Sequence, residues 1–191
     1  MDILSGEAKR SDDYRQVAAL AYELIGRRIY PKKSVFFKDI ESDLDPKRII
    51  IAYDQTRIAG FLIHHPPASY ERPQLYTIQK QQFPLCQDPC KTEMIHMIGT
   101  VREYQGKGVA SMLVDELISG VKTKMIPALT AVGIADEYGT SVPFFRKKGF
   151  LPLHTNSEMI GSKIVEQTVL KYCLCGKKDA VWSEFAQRNS V

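Results

Sequence analysis

Gln105-Gly106-Lys107-Gly108-Val109-Ala110 lies between an apolar run and an amphipathic segment, and its reading decides the fold. Upstream, Met94-Ile95-His96-Met97-Ile98-Gly99-Thr100-Val101 is a short apolar run bounded by polar residues, which predicts a buried strand. Downstream, Val109, Met112, Leu113 and Leu117 recur at i, i+3, i+4 and i+8, one face of a helix. A strand that turns through glycines into a helix start presents backbone N–H groups with no partner inside the helix. Together with the positive end of the helix dipole, they form a site for a phosphate or pyrophosphate. Gly106 and Gly108 let a ligand approach the backbone closely. The plainer alternative is a tight connection and nothing more, since glycine serves turns of many kinds.

Exclusion narrows the ligand. The stretch is neither G-x-x-x-x-G-K-[ST], the nucleoside triphosphate loop, nor G-x-G-x-x-G, the dinucleotide fingerprint. What remains is [Gln/Arg]-x-x-Gly-x-[Gly/Ala], filled by Gln105, Gly108 and Ala110. Here the chain resembles the Gcn5-related N-acetyltransferase (GNAT) family, whose pyrophosphate-binding loop has this form. Ile98-Gly99-Thr100-Val101-Arg102-Glu103-Tyr104 resembles the family's strand and its approach to the loop. Further on, Val142-Pro143-Phe144-Phe145-Arg146-Lys147-Lys148-Gly149-Phe150 resembles its second signature, a short helix ending in Lys-x-Gly-Phe or a close variant. The residues fit such a helix: Thr140 or Ser141 as cap, Pro143 in the first turn, Gly149 as a left-handed stop. The resemblance spans roughly residues 47–175 and is weak before Lys47.

The resemblance implies an α/β (α+β) fold: a mixed, mostly antiparallel twisted sheet flanked by helices, with splayed central strands. It implies acetyl-CoA as donor and direct transfer of the acetyl group to a primary amine of a small molecule or a protein lysine. Carried over by position, the backbone at Ile98, Gly99 and Thr100 holds the pantetheine arm and polarises the thioester carbonyl. The pyrophosphate falls on Gln105, Gly106, Lys107, Gly108, Val109 and Ala110, with Ser111 nearby. Lys107 adds charge there or, the reading preferred, turns to solvent, and Phe145 packs against the pantetheine.

Acyl transfer to an amine needs a held carbonyl, a neutral amine and a stabilised leaving thiolate. His96, nine residues before Gln105, resembles the strand histidine of the aralkylamine acetyltransferases, which assists amine deprotonation. An unperturbed imidazole, titrating near ~6.5, suits that task. The alternative is a hydrogen-bonded histidine on an apolar strand. Glu93 competes with it. The family's protein-lysine acetyltransferases place a glutamate where this chain has Met94, and a slip of one residue along a strand reverses the face. For the general acid, many members use a tyrosine at the position of Phe145, which has no proton to give, although histone-type members also carry phenylalanine there. Tyr138 or water is the substitute. A competing reading of a different class is a non-catalytic acyl-CoA-binding regulatory module, and a further one is transfer of acyl groups longer than acetyl.

Composition sets the frame. With 191 residues, 44% hydrophobic and 25% charged, the chain reads as one soluble globular domain over 1–191. It carries an insertion at about 66–92, rich in proline, where Tyr70, Tyr76 and Phe83 stand out, and a polar tail from about 176. No apolar stretch has the length of a membrane span, and Met1–Glu7 is not a signal peptide, so no membrane partner is expected and the compartment is cytoplasmic or nuclear. The net charge of +4 favours anionic ligands without calling for nucleic acid. Cys86-x3-Cys90 and Cys173-x-Cys175 lack zinc-knuckle spacing and read as reduced thiols; His64-His65 reads as a strand end, so no metal site is assigned. The expected partners are acetyl-CoA and an amine acceptor, in a monomer or homodimer.

Elsewhere, Ser11-Asp12-Asp13 caps a helix from about Tyr14 to Arg28 with the stripe Val17, Leu20, Ala21, Leu24 and Ile25. A short helical or irregular piece follows, with Phe36-Phe37 as core. Lys47–Tyr53 and Ile58–His64 predict a hairpin, Ala128–Ile134 a strand and Ile164–Leu174 a last strand. In the tail, Val181, Trp182 and Phe185 predict a short helix packed back on the domain.

Overall fold

Runs of β-branched residues build the centre of the molecule. The computed structural model describes residues 3–7, 13–40, 45–66, 92–126, 128–136, 139–160 and 163–174. Within it the expected hairpin is Ile49–Asp54 (β2) and Arg57–His65 (β3), antiparallel, with Ile49 against Ile63 and Asp54 against Arg57. Ile49, Ile51, Phe61, Leu62 and Ile63 have no exposed surface. Strands buried on both faces read as continuous apolar runs, and these do. Thr92–Thr100 (β4) pairs β3, and Ala128–Asp136 (β5) runs parallel to β4. Gly139–Thr140 (β6) adds a short pair to β5. Leu151–Ile160 (β7) and Lys163–Cys173 (β8) close the far side, and Ile3–Glu7 (β1) pairs β2 at the near edge. The order is β1-β2-β3-β4-β5-β8-β7, with the β4–β5 pair parallel and the others antiparallel.

Helices cover two faces. Asp13–Ala21 (α1) runs through a π-helical turn, Tyr22–Gly26, into Arg27–Ile29 (α2), so the predicted first helix is present with one wide turn inside it. Lys33–Ile40 (α3) follows, and Phe36 is fully buried among the rings of Tyr22, Tyr30 and Phe37, at 5.5, 5.3 and 5.7 Å. These helices pack on Ile49, Ile51, Phe61 and Ile63. The opposite face, Ile50, Ala52, Leu62 and Ile95, takes Val109–Thr123 (α4). That helix buries Val109, Leu113, Val114, Leu117, Ile118 and Val121, each contributing roughly 1.5–3 kcal/mol over exposure. Val142–Lys147 (α5) packs on the same side; Ser141 holds its cap position without a side-chain bond, and the Thr140 hydroxyl accepts from the Val142 N–H at 3.2 Å. Among the described residues no helix is long and apolar enough to cross a membrane.

The start of α4 is seated by a close contact. A Cβ added at Gly60 would lie 2.7 Å from Val109 Cγ1 and 2.8 Å from the Gly99 carbonyl oxygen. The carbonyl belongs to the ladder between β3 and β4, where Gly60 pairs Thr100, and has no rotamer to escape into. Gly60→Ala is therefore expected to lose about 1–3 kcal/mol, read as a lower denaturant midpoint with an unchanged slope.

Candidate active site

Four residue pairs join β4 to β5: Thr92–Ala128, Glu93–Leu129, Met94–Thr130 and Ile95–Ala131. Past Ile95 the ladder stops among the described residues, while β4 stays paired to β3 as far as Thr100 and β5 to β8 as far as Ala135. This is the splay expected of the central strands. It leaves the β5-side edge of His96 to Thr100 without a strand neighbour. Buried backbone groups need partners, so an extended ligand can supply the missing rungs. At the end of that edge the Thr100 hydroxyl is buried without a hydrogen-bond partner.

β4 leads straight into the glycine loop expected to hold the phosphates. Val101 N–H donates to the Ala59 carbonyl at 3.0 Å, and a 3-10 turn, Arg102–Tyr104, carries the chain to Gln105. Tyr104 is buried, and its hydroxyl donates to Asp54 Oδ2 at 3.1 Å, tying the loop to the end of β2. Burial first, and the Asp54 carboxylate second, raise the phenol above its ordinary range, so it remains a donor. Gly106 and Gly108 have φ of +75° and +83°, a conformation that glycine adopts at no steric cost. Gly108 occupies the cap position of α4, where no side chain bonds the helix N–H groups and no acid stands in the first turn. Among the described residues, chain neighbours apart, no heavy atom lies within 4 Å of a Cβ built at either glycine. An open, uncapped helix start of this kind fits a pyrophosphate.

The other expected cofactor residues divide by role. Gln105 turns its side chain back, Nε2 donating to the Thr100 carbonyl at 3.4 Å. Lys107 is exposed, with its ammonium 5.4 Å over the Tyr104 ring. Val109 buries its side chain beneath the helix, Ala110 is half-buried, and Ile98 packs toward α4. Gly99 serves packing: a Cβ there would lie 2.6 Å from Phe61 Cε1 and 3.2 Å from Leu24 Cδ1. Ser111 accepts from Lys148 Nζ at 2.8 Å, and the same ammonium pairs with Asp115 at 2.6 Å. Lys148 thus ties the end of α5 to the first turns of α4, a tie that residue spacing does not reveal. Phe145 is 2% exposed and sits in the core between the rings of Phe144 and Phe150, at 5.2 and 5.3 Å. Tyr138, Cys86, Cys90, Cys175, Ser11, Asp12, the 67–91 segment and the tail from 175 lie outside the described residues.

The candidate catalytic groups separate onto two faces. Between Ile63–Met97 and His64–Ile95 the β3–β4 register shifts, leaving His96 as the extra residue of a bulge on β4. The bulge reverses the faces, so Ile95 packs toward α4 while Met97 packs toward α1. Glu93 lies on the α4 side, where His64 Nδ1 meets its Oε1 at 2.6 Å; both residues are 8% exposed. His65 and Met94 pair on the opposite face. His65 is fully buried, its Nδ1 donates to the Pro66 carbonyl at 3.0 Å, and its ring centre is 5.4 Å from that of His96. The two adjacent histidines therefore diverge, and His64 is a partner of Glu93 that the reading of a strand end overlooked.

His96 is half-buried at the point where β4 and β5 part. Loss of water, then the neighbouring His65, pull its pKa from the ordinary 6.5 down to about 3. The unperturbed value expected from the sequence is thus not met. A neutral His96 accepts hydrogen bonds at pH 7 but holds a proton poorly.

Comparison with known proteins agrees with this geometry. The model of the acetyltransferase (GNAT) family matches residues 19–150, beginning within α1 and ending at Phe150. No curated protein matches the sequence. Among solved structures, the fold is shared with an N-acetyltransferase from Staphylococcus aureus Mu50, at 17% identity over 91% of this chain and 99% of that one, with a TM-score of 0.60. NAA60 of Arabidopsis thaliana, in complex with acetyl-CoA, is 14% identical over 92% and 100% of the two chains, with a TM-score of 0.65. A polyamine N-acetyltransferase of Drosophila melanogaster, which catalyses the formation of N-acetylagmatine, is 8% identical over 91% and 100%, with a TM-score of 0.66.

Proposed function

Because the chain belongs to the acetyltransferase (GNAT) family, we propose that it moves the acetyl group of acetyl-CoA directly to a primary amine carried by a small molecule or a protein. One observation carries the reading. The open edge of β4 begins at His96, where β4 and β5 part, and the chain runs from the end of that edge through the glycine loop into the uncapped start of α4. Acetyl-CoA supplies the activated thioester carbonyl. The N–H groups at the start of α4, with the loop from Gln105 to Ala110, hold its phosphates. The edge at Ile98, Gly99 and Thr100 lines the pantetheine path, and an N–H there polarises the carbonyl. His96 accepts a hydrogen bond from the acceptor nitrogen and aims its lone pair, while the departing proton passes to water. Phe145 offers no proton, so the thiolate takes one from Tyr138 or from water.

Phe145 also favours a second reading, a module that binds acyl-CoA without transferring it. A thiol-release assay over a panel of amines and peptides separates the two. Release that depends on the acceptor is expected. Tight acetyl-CoA binding with no release on any acceptor supports the module instead. In the same assay His96→Gln should lower kcat about 10²-fold, the scale of a misplaced reacting group, with acetyl-CoA affinity unchanged. An undiminished kcat would remove His96 from the reaction.

A further inference from the structure

We propose that Lys148 is a positioning residue of the donor site: it holds the Ser111 hydroxyl so that its proton is offered to the diphosphate of acetyl-CoA. This rests on the donor reading above and adds to it a residue from outside the glycine loop.

The start of α4 leaves donors open. The Met112 N–H closes the first bond of the helix, onto the Gly108 carbonyl at 3.0 Å. The N–H groups of Val109, Ala110 and Ser111 meet no acceptor among the described residues. Ser111 stands in that same first turn, and helix side chains lean toward the N-terminus. Its hydroxyl therefore lies on the side where these donors open. Across from it, Arg146, Lys147 and Lys148 follow one another at the end of α5. Arg146 and Lys147 are exposed, whereas Lys148 turns inward, with its side chain 16% exposed. Its backbone is fixed first: the Lys148 N–H donates to the Phe145 carbonyl at 3.0 Å, and Phe145 is anchored in the core. From that base the ammonium reaches α4, with Nζ 2.8 Å from Ser111 Oγ and 2.6 Å from Asp115 Oδ1.

The direction of the Ser111 bond decides the chemistry. An ammonium only donates, so Ser111 Oγ accepts and its own proton stays unspent. A helical hydroxyl commonly spends that proton on the carbonyl one turn back, as Thr123 does on Ser119 at 3.1 Å in this same helix. Ser111 makes no such bond among the described residues. Asp115 balances the charge of Lys148, so the pair brings the diphosphate little net attraction. What Lys148 gives is direction: it occupies a lone pair of Oγ, polarises the O–H and leaves the proton to a phosphate oxygen. A hydrogen bond to that anion is charge-assisted and stronger than a neutral one. Asp115 is 61% exposed, and an ion pair so open to water adds little to the fold. In the Lys-x-Gly-Phe signature Lys148 fills the open position x, so the resemblance gives it no task.

The test is calorimetric titration of acetyl-CoA into the protein, Lys148→Met, Ser111→Ala and the double variant. Each single variant should bind about 10-fold more weakly, the scale of one hydrogen bond to a charged group. The double variant should bind no more weakly than Ser111→Ala alone, because Lys148 acts through that hydroxyl. Transfer kinetics with two donors then separate positioning from mere support of the fold. With acetyl-CoA, Lys148→Met should raise KM and hold kcat. With S-acetylpantetheine, a thioester that lacks the diphosphate, the same variant should keep its kcat/KM, whereas a displaced α4 would impair both donors alike. Unchanged acetyl-CoA affinity in Lys148→Met would overturn the inference, as would equal losses on the two donors or full multiplication of the two single effects in the double variant. Failure of the unsubstituted protein to bind acetyl-CoA would instead overturn the donor reading itself.

Discussion

Gly108→Glu is expected to lower acetyl-CoA affinity by more than about 10²-fold while the protein remains folded. The new side chain points into open space, since among the described residues, chain neighbours apart, nothing lies within 4 Å of a Cβ at this position. Its carboxylate then occupies the place proposed for the pyrophosphate and repels it. The helix itself is not harmed electrostatically, because a negative charge at its N-terminus interacts favourably with the dipole. The cost to the fold is the left-handed backbone, φ +83°, at about 1–2 kcal/mol for a residue with a Cβ. Gly108→Ala has that strain without the charge, and is the control. Calorimetric titration with acetyl-CoA, alongside circular dichroism, reads both effects. Retained affinity in the glutamate variant would show that the phosphates lie elsewhere.

Glu93→Ala is expected to destabilise the protein by about 1–3 kcal/mol, the scale for leaving a buried hydrogen-bonding group without its partner. It strands His64 in a place where it has lost both water and its carboxylate. For a chain of this size each kcal/mol shifts Tm by about 2–4 °C, so the loss is readily seen by calorimetry. Glu93→Gln restores a hydrogen-bond acceptor and should recover most of the stability. It also decides what Glu93 does. A glutamine variant with undiminished kcat makes the pair structural, whereas a fall like that of His96→Gln makes Glu93 part of the reaction.

The contrast between these glycines and histidines shows what residue order can and cannot tell. The loop from Gln105 to Ala110 was legible because its geometry is local: glycines, a helix start and a periodic apolar stripe all lie within a few turns of one another. The hairpin of β2 and β3 was legible because both faces of it are buried and its pattern is continuous. The two edge strands were not. β1 reads Ile-Leu-Ser-Gly-Glu, and β7 begins Leu-Pro and continues through polar residues. Each pairs on one side alone along the sheet path, so little alternation is imposed on it. Pro152 sits where the β7–β8 register shifts, a position that does not need its missing N–H. The faces of β4 were hidden for another reason. Simple alternation predicts Ile95 and Met97 on one side, but the bulge at His96 puts them on opposite sides. The partnership of His64 with Glu93, 29 residues apart in the chain, depends on that same register and leaves no mark in either residue's surroundings.

The four-pair ladder between β4 and β5 has a mechanical consequence. Strands β1 to β4 form one plate and β5 to β8 another, stitched by Thr92–Ala128 through Ile95–Ala131. Such a seam is the natural place for the two plates to loosen separately, as sub-global units commonly do. A donor lying between the parted edges, as proposed, would work as a weld that binds the joined state alone. Donor binding and the all-or-none character of unfolding are then two measures of one joint.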